Sequence, residues 1–284
     1  MKEKIDVTIA TKNSEDTIEK CIVNIKKFIP YNEIIVVDGK STDKTAKIAE
    51  RLDAKVIFND ELLGQIRYNQ ASLCKSSWIA IIDSDVIINK NWWPEVSKHM
   101  KNQKVGAIYG WLNESFEKFI PSYEKYENFF RERYVTNPGP FLPRSKYKQW
   151  GVFTFSNALI KRDIIIKSKN DLLNKHASED NIIAKNIVKW NYLIIPVCKN
   201  LGEHIHKNPI KHCKMRYNRM GRSLVINWGK LYGLRKIPLY FCNLLFDFTK
   251  YSISTHSFDF KLFKFLLELY KELVNGVITQ IKMS

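Results

Sequence analysis

Apolar and polar positions along the first hundred residues fall into short blocks that alternate between two periods. Ile5-Asp6-Val7-Thr8-Ile9-Ala10 reads as a strand. Ile18, Cys21, Ile22 and Ile25 then recur at helical spacing, in a helix capped at Ser14 and running to about Phe28, with Pro30 beyond its end. Glu33–Val37 is a second strand, ending at Asp38-Gly39, and Ser41 or Thr42 caps a helix through Leu52. Lys55–Phe58 is a third strand and Glu61–Lys75 a helix that contains Gly64. Trp78–Ile82 is a fourth strand, Asn91–Met100 a helix and Val105–Tyr109 a fifth strand.

Near-continuous apolar strands alternating with helices predict an α/β fold, with a mostly parallel central sheet covered by helices on both faces. Such sheets bind ligands beyond the C-terminal ends of their strands. Three polar clusters fall at those ends: Thr11-Lys12-Asn13, Asp38-Gly39 and Asp83-Ser84-Asp85. The last places two carboxylates at i and i+2 on the tip of a buried strand, where they repel unless a cation joins them. That points to a divalent metal and a phosphorylated substrate, against the plainer reading of a structural acidic turn.

The middle of the chain has a different texture. Ser122–Arg133 reads as an aromatic, charged helix, and Asn137-Pro138-Gly139-Pro140 with Pro143 as a loop. Trp150 to Asn157 leads into a strand at Ala158–Ile160, followed by a helix at Glu179–Lys189 and a strand at Tyr192–Val197. Beyond that strand, His204 and His206 share one side of an extended segment. From about Tyr217 the pattern is helical, ending in an amphipathic helix at about Phe258–Ile281. A basic, aromatic-rich amphipathic segment suits a bilayer surface, packing on the remainder of the chain, or a second subunit in a homo-oligomer.

Composition narrows the setting. The chain has 284 residues, 45% hydrophobic, with a formal charge of +17. His204–Phe246 and Arg133–Arg162 contain no Asp or Glu, so the positive charge is concentrated and would attract phosphates, nucleic acid or anionic membrane. Five scattered cysteines without metal spacing suggest a reduced, cytoplasmic compartment. No segment reads as a secretory leader or as a clean membrane span.

The motifs together resemble the family-2 inverting glycosyltransferases with the GT-A fold, including dolichol-phosphate-sugar synthases and other lipid-linked glycan transferases. The resemblance rests on Val7–Asn13, Glu33–Asp43, Gly64, Arg67 and Asn69, Asp83-Ser84-Asp85, and Glu179-Asp180, in that order and spacing. It covers roughly residues 5–195. It implies a GT-A catalytic domain over residues 1–216, with a nucleotide-sugar half to about 115 and an acceptor half over 116–216. Residues 217–284 would form a basic helical extension.

The resemblance also implies roles. Thr11, Asn13, Glu15, Asp38, Arg67, Asp83 and Ser84 would line the donor site. Asp38 would meet the base, Asn13 or Glu15 the base or ribose, and Asp83 the ribose or the metal shell. Arg67 would face the phosphates or bind a surface carboxylate. Asp85 would be the firmer ligand for Mg²⁺ or Mn²⁺, with His204 or His206 completing the shell, His204 first. Asp180 would be the general base, while Glu179 serves the helix start. Phe153–Ala158 would lie between donor and acceptor, and Trp150 would stack on an acceptor sugar or lipid. The Gln-x-x-Arg-Trp motif of processive synthases is absent, which favours transfer of one sugar per encounter.

The reading is therefore a metal-dependent transferase moving a sugar from a nucleotide-diphosphate sugar to a hydroxyl or phosphate. The acceptor would be polyprenyl-phosphate-linked or another glycan, met at the inner face of the cell membrane. A nucleotidyltransferase also needs a sheet-edge metal, but its Gly-rich, Lys-containing opening is missing. A non-catalytic nucleic-acid- or membrane-binding protein is suggested by charge alone, without a zinc pattern or a groove-reading helix.

Overall fold

The computed structural model describes residues 4–116, 125–126, 154–173, 179–206 and 209–283. The helix expected around Ser122–Arg133, the proline-rich loop, Trp150 and Phe153 lie wholly or mostly outside them.

Four parallel strands form one half of an eight-stranded sheet: β1 (Ile5–Thr11), β2 (Tyr31–Asp38), β3 (Lys55–Phe58) and β4 (Trp78–Ile82), in the order β3-β2-β1-β4. Three helices make the crossovers: α1 (Ile18–Phe28), α2 (Thr45–Arg51) and α3 (Leu63–Leu73). The other half continues from β4 as β7-β6-β8-β5. These strands are β5 (Val86–Ile88), β6 (Val105–Phe116), β7 (Asn157–Lys161) and β8 (Leu193–His206). The pairs β4/β7, β6/β7 and β5/β8 are antiparallel. Helices α4 (Trp92–Ser97), α5 (Arg162–Lys167), α6 (Lys169–Leu172) and α7 (Glu179–Lys189) complete this part.

The two-residue period of a strand sends alternate side chains into separate cores. Ile34, Val36, Ala80 and Ile82 join Ile18, Cys21, Ile22 and Ile25 on one face. Ile35, Val37, Ile79 and Ile81 join Ala71, Ile164 and Ile183 on the other. Every residue of β4 is buried, which explains its unbroken apolar run. Burying each such isoleucine is worth ~1.5–3 kcal/mol relative to exposure.

The strands expected at Lys55–Phe58 and Trp78–Ile82 and the helix at Glu179–Lys189 have the expected limits. β6 and β8 run well past the apolar segments that signalled them. β5 is only three residues long, too short to carry a period. Ser14 does not cap α1 with its side chain; its carbonyl accepts the N–H groups of Thr17 and Ile18. At α2 the capping acceptor is Asp43, whose Oδ1 takes the Thr45 N–H at 3.0 Å, rather than Ser41 or Thr42.

The chain divides into two compact units, Met1–Asn113 with Arg144–Ile205, and Glu114–Pro143 with His206–Ser284. In the second lie α8 (Pro209–Trp228), α9 (Lys230–Thr255) and α10 (Phe260–Met283). Gly229, at φ +90, breaks the chain between α8 and α9, a conformation open to glycine. Helices α8 and α10 cross closely: a Cβ on Gly221 would overlap the Leu273 carbonyl, and one on Gly276 the Asn218 carbonyl. The core of this unit includes Leu244, Phe248, Tyr251, Leu262, Leu266 and Leu269. Among the described residues, no helix is long and apolar enough to cross a membrane.

Candidate active site at the sheet edge

Asp83, Ser84 and Asp85 form the turn between β4 and β5, and each faces a different neighbour. The Asp83 carboxylate accepts a hydrogen bond from Arg67 Nη2 at 3.1 Å. Its backbone is fixed as well: the N–H donates to the Ser156 carbonyl, and its carbonyl accepts from Val86 N–H. The buried thiol of Cys21 also donates to that carbonyl, at 3.5 Å. Burial, then the charges of Asp85 and Asp83, push the Cys21 thiol well above its ordinary range, so it stays protonated and can donate. Ser84 is buried and its hydroxyl lies 2.9 Å from that of Ser14, joining the turn to the β1–α1 loop.

Asp85 meets the histidines because β5 pairs with β8. Val86 lies opposite His204, and the Asp85 carbonyl accepts the Ile205 N–H at 2.8 Å. His204 Nε2 is 3.1 Å from Asp85 Oδ1. His206, the terminal residue of β8, is buried, and one ligand atom from each of Asp85, His204 and His206 falls within 4.8 Å of the others. A carboxylate with two imidazoles is a fitting donor set for a divalent transition ion such as Mn²⁺, and a less apt one for Mg²⁺, which prefers oxygen.

On the other side of the turn, Arg67 is almost wholly buried, at 4% exposure. Besides Asp83, it donates to Gln70 Oε1 at 3.2 Å, approaches Glu179 Oε1 at 3.9 Å and lies 5.1 Å from the Phe155 ring centroid. Of the two expectations for Arg67, phosphates or a surface carboxylate, the structure shows carboxylate partners, the part-buried Asp83 and the buried Glu179. Glu179 and Asp180 open α7. Glu179 is buried; Asp180 is half-buried and accepts the Asn181 N–H at 2.7 Å. Burial, with the charge of Asp180, raises the Glu179 carboxyl, and burial raises that of Asp180, while Arg67 pulls both down.

Thr11, Asn13, Glu15 and Asp38 lie at the ends of β1 and β2. Asp38 is fully buried; its Oδ1 accepts the Ser41 N–H at 2.6 Å, and its Oδ2 has no hydrogen-bond partner among the described residues. The buried Thr11 hydroxyl is in the same condition. Asn13, with φ +52, accepts the Thr42 N–H, and Glu15 accepts the Lys44 N–H at 3.1 Å. These two side chains tie the first loop to the second. Asp43 belongs to the same lattice, accepting from the N–H groups of Glu15 and Thr45. Sequence reasoning passed over Asp43 and Gln70. The Asp at the end of Lys40-Ser41-Thr42-Asp43, just ahead of a helix, was the available signal for the first.

The sheet and the edge-bound acidic turn have a GT-A glycosyltransferase architecture, and similar solved structures share that fold. A mannosyltransferase from Pyrobaculum calidifontis, in complex with GDP-Man and Mn²⁺, superposes with a TM-score of 0.66 at 14% identity, covering 99% of this chain and 88% of that one. Glucosyl-3-phosphoglycerate synthase from Mycobacterium tuberculosis, in complex with Mn²⁺, UDP and glucosyl-3-phosphoglycerate, gives 0.51 at 15% identity over 78% of each chain. The chain belongs to the glycosyl transferase family 2, whose pattern it matches over residues 6–168. Among curated relatives, an uncharacterized glycosyltransferase of Rickettsia bellii is 41% identical over 96 residues, 33% of this chain and 32% of that protein. One from Mycoplasma genitalium is 26% identical over 169 residues, 53% of this chain and 56% of its own length. The match thus spans about a third to a half of these relatives.

Proposed function

We propose that this glycosyltransferase is an inverting, metal-dependent enzyme that moves one sugar from a nucleotide-diphosphate sugar to an acceptor hydroxyl or phosphate. The acceptor is lipid-linked, polyprenyl phosphate being the type, and the reaction takes place at the inner face of the cell membrane. The observation that carries the reading is one turn, Asp83–Asp85, that meets a histidine pair on one side and the Arg67–Glu179 pair on the other.

Asp85, His204 and His206 would hold the ion, with Mn²⁺ the better fit. When bound, it neutralises charge on the departing nucleotide diphosphate. Asp38 Oδ2 is a buried acceptor suited to an N–H of a nucleobase, and the bonds from Asn13, Glu15 and Asp43 hold the loops around it. Where the acceptor is a hydroxyl, Asp180 takes its proton, and a carboxyl raised towards neutrality by burial suits a base working near pH 7; a phosphate acceptor attacks through an oxygen already ionised and asks no proton transfer of Asp180. One base on the face opposite the leaving group gives a single displacement, and so inversion. Support for an anionic, lipid-linked acceptor comes from the charge beyond Asn208: thirteen lysines and arginines against four carboxylates.

The test is turnover of a panel of UDP- and GDP-sugars with Mn²⁺ or Mg²⁺, with polyprenyl phosphate supplied as acceptor and the product anomer read by NMR. Transfer with inversion is expected. Asp85→Ala should lower Mn²⁺-dependent transfer by about a hundredfold or more, the scale of a lost electrostatic contribution to leaving-group departure. Unchanged transfer by that variant would remove the metal role, and retention of configuration would remove the single-displacement mechanism.

A further inference from the structure

Helix α9 presents an unusual outward face. Leu231, Leu234, Leu239, Cys242 and Ile253 are all exposed, and their spacing places them on one side of the helix. Ile253 is 68% exposed. It stands just ahead of the α9–α10 turn, where Phe258 and Phe260 are 66% and 68% exposed. Three large apolar side chains held two-thirds in water within eight residues are costly, at ~25 cal/mol per Å² of apolar surface left uncovered. The turn is built and not frayed. His256 closes α9 in the left-handed conformation, Asp259 accepts the Leu262 N–H at 2.9 Å, and Phe258 packs edge-on against Phe248 with ring centroids 5.1 Å apart.

The charge around this apolar edge is predominantly positive, with Asp247 the one acid on α9. Lys230, Arg235 and Lys236 flank its beginning and Lys250, Lys261 and Lys264 its end. Asp259 is the acid near the turn, and its carboxylate is engaged in capping α10. Exposed leucine and phenylalanine rimmed by lysine and arginine match the two layers of an anionic bilayer surface, with apolar groups at the acyl boundary and cations at the headgroups. A second copy of the chain would bring like charge against like charge across the same face, which disfavours that occupant.

We propose that the outward face of α9 and the α9–α10 turn form an interfacial membrane-docking surface for anionic lipid, with Ile253, Phe258 and Phe260 entering the acyl boundary and the flanking lysines and arginines binding headgroups. The inference deepens the membrane-face reaction proposed above and rests on that reading for its setting. It does not require the chain to cross the bilayer.

The experiment is sedimentation of the full chain with vesicles of phosphatidylcholine, alone or with phosphatidylglycerol, over a range of salt. Donor turnover and molar mass are measured on the same preparations. Binding is expected only with the anionic lipid and should weaken as salt rises. The variant Ile253→Ser/Phe258→Ser/Phe260→Ser, altered only at exposed positions, should bind at least about tenfold more weakly while keeping donor turnover. Lys250→Glu/Lys261→Glu/Lys264→Glu should do the same and flatten the salt dependence. Vesicle binding that both variants retain overturns the assignment. So does a wild-type dimer that the apolar variant converts to monomer without any vesicle binding. Loss of donor turnover in the wild type, with vesicle binding intact, counts against the transfer reading and leaves the docking surface standing.

Discussion

Arg67 is the residue on which both sides of the candidate site depend. It is a buried cation that holds Asp83 at 3.1 Å, approaches Glu179 at 3.9 Å and counters the burial that raises the Glu179–Asp180 carboxyls. A base works only when ionised, so transfer should rise with pH through the apparent pKa of the carboxyl pair. Desolvation has already moved that ascending limb above the ordinary carboxylate range. Arg67→Met removes the cation but keeps much of the buried volume. Its limb should therefore move to higher pH, and the plateau should fall because Asp83 loses its anchor. A pH profile of kcat/KM with saturating Mn²⁺ checks both parts; a fall in rate at an unmoved limb would leave Arg67 a purely structural role. The residue was visible in the sequence as part of the family motif in the helix before β4, with a donor-site role implied by the resemblance. Nothing in spacing could show that it is buried, because its partners come from the β4–β5 turn and α7, sixteen and over a hundred residues away.

At the scale of elements, the site depends on how β5 meets β8. The sequence made both the Asp83–Asp85 turn and the His204/His206 pair visible, since each sits beside a recognisable apolar strand. Their meeting was not legible. β5 has three residues, and a segment that short shows no periodicity against which to register a partner. The pairing also spans more than a hundred residues, and Gly202 permits it: a Cβ there would overlap the Ile87 carbonyl. Gly202→Ala should force the two strands apart or slip their register, moving His204 and His206 away from Asp85. Mn²⁺ affinity, measured by calorimetry or by electron paramagnetic resonance of the free ion, should fall by about tenfold or more, in the range seen when support around metal ligands is lost. Far-ultraviolet circular dichroism should change little, since the β1–β4 ladder makes its backbone hydrogen bonds independently of this pairing. Undiminished Mn²⁺ binding would mean that the histidines are not placed by this register.

At the scale of the whole molecule, the alternating first half was the most legible part, because β1, β4 and most of β2 are buried and announce themselves by composition, while the exposed edge strand β3 was legible from its place in the alternation. The second unit was harder to read: its helices were visible by period, but the partners of their apolar faces are set by tertiary packing. The close α8–α10 crossing at Gly221 and Gly276 is one such choice, since two isolated glycines 55 positions apart carry no pattern in sequence. Each unit has apolar clusters of its own, with Val36, Ile82 and Ile183 in the first and Leu244, Phe248 and Leu266 in the second. Separate cores predict separate cooperative transitions on unfolding. Leu266 is fully buried, so Leu266→Ala should cost about 2–5 kcal/mol in the second unit. That corresponds to a drop of roughly 10 °C or more in the midpoint of one calorimetric transition, for a unit of about a hundred residues. The other transition should stay in place and should instead rise when a nucleoside diphosphate binds, because a ligand stabilises the unit that holds it and Thr11, Asn13, Glu15 and Asp38 all lie in the first. A lone transition that Leu266→Ala lowers and the nucleotide raises as a whole would show the two cores to be one cooperative structure. In that case a loss of packing in the second unit would also lower the occupancy of the donor site, and variants of the helical tail would be expected to weaken nucleotide binding from a distance.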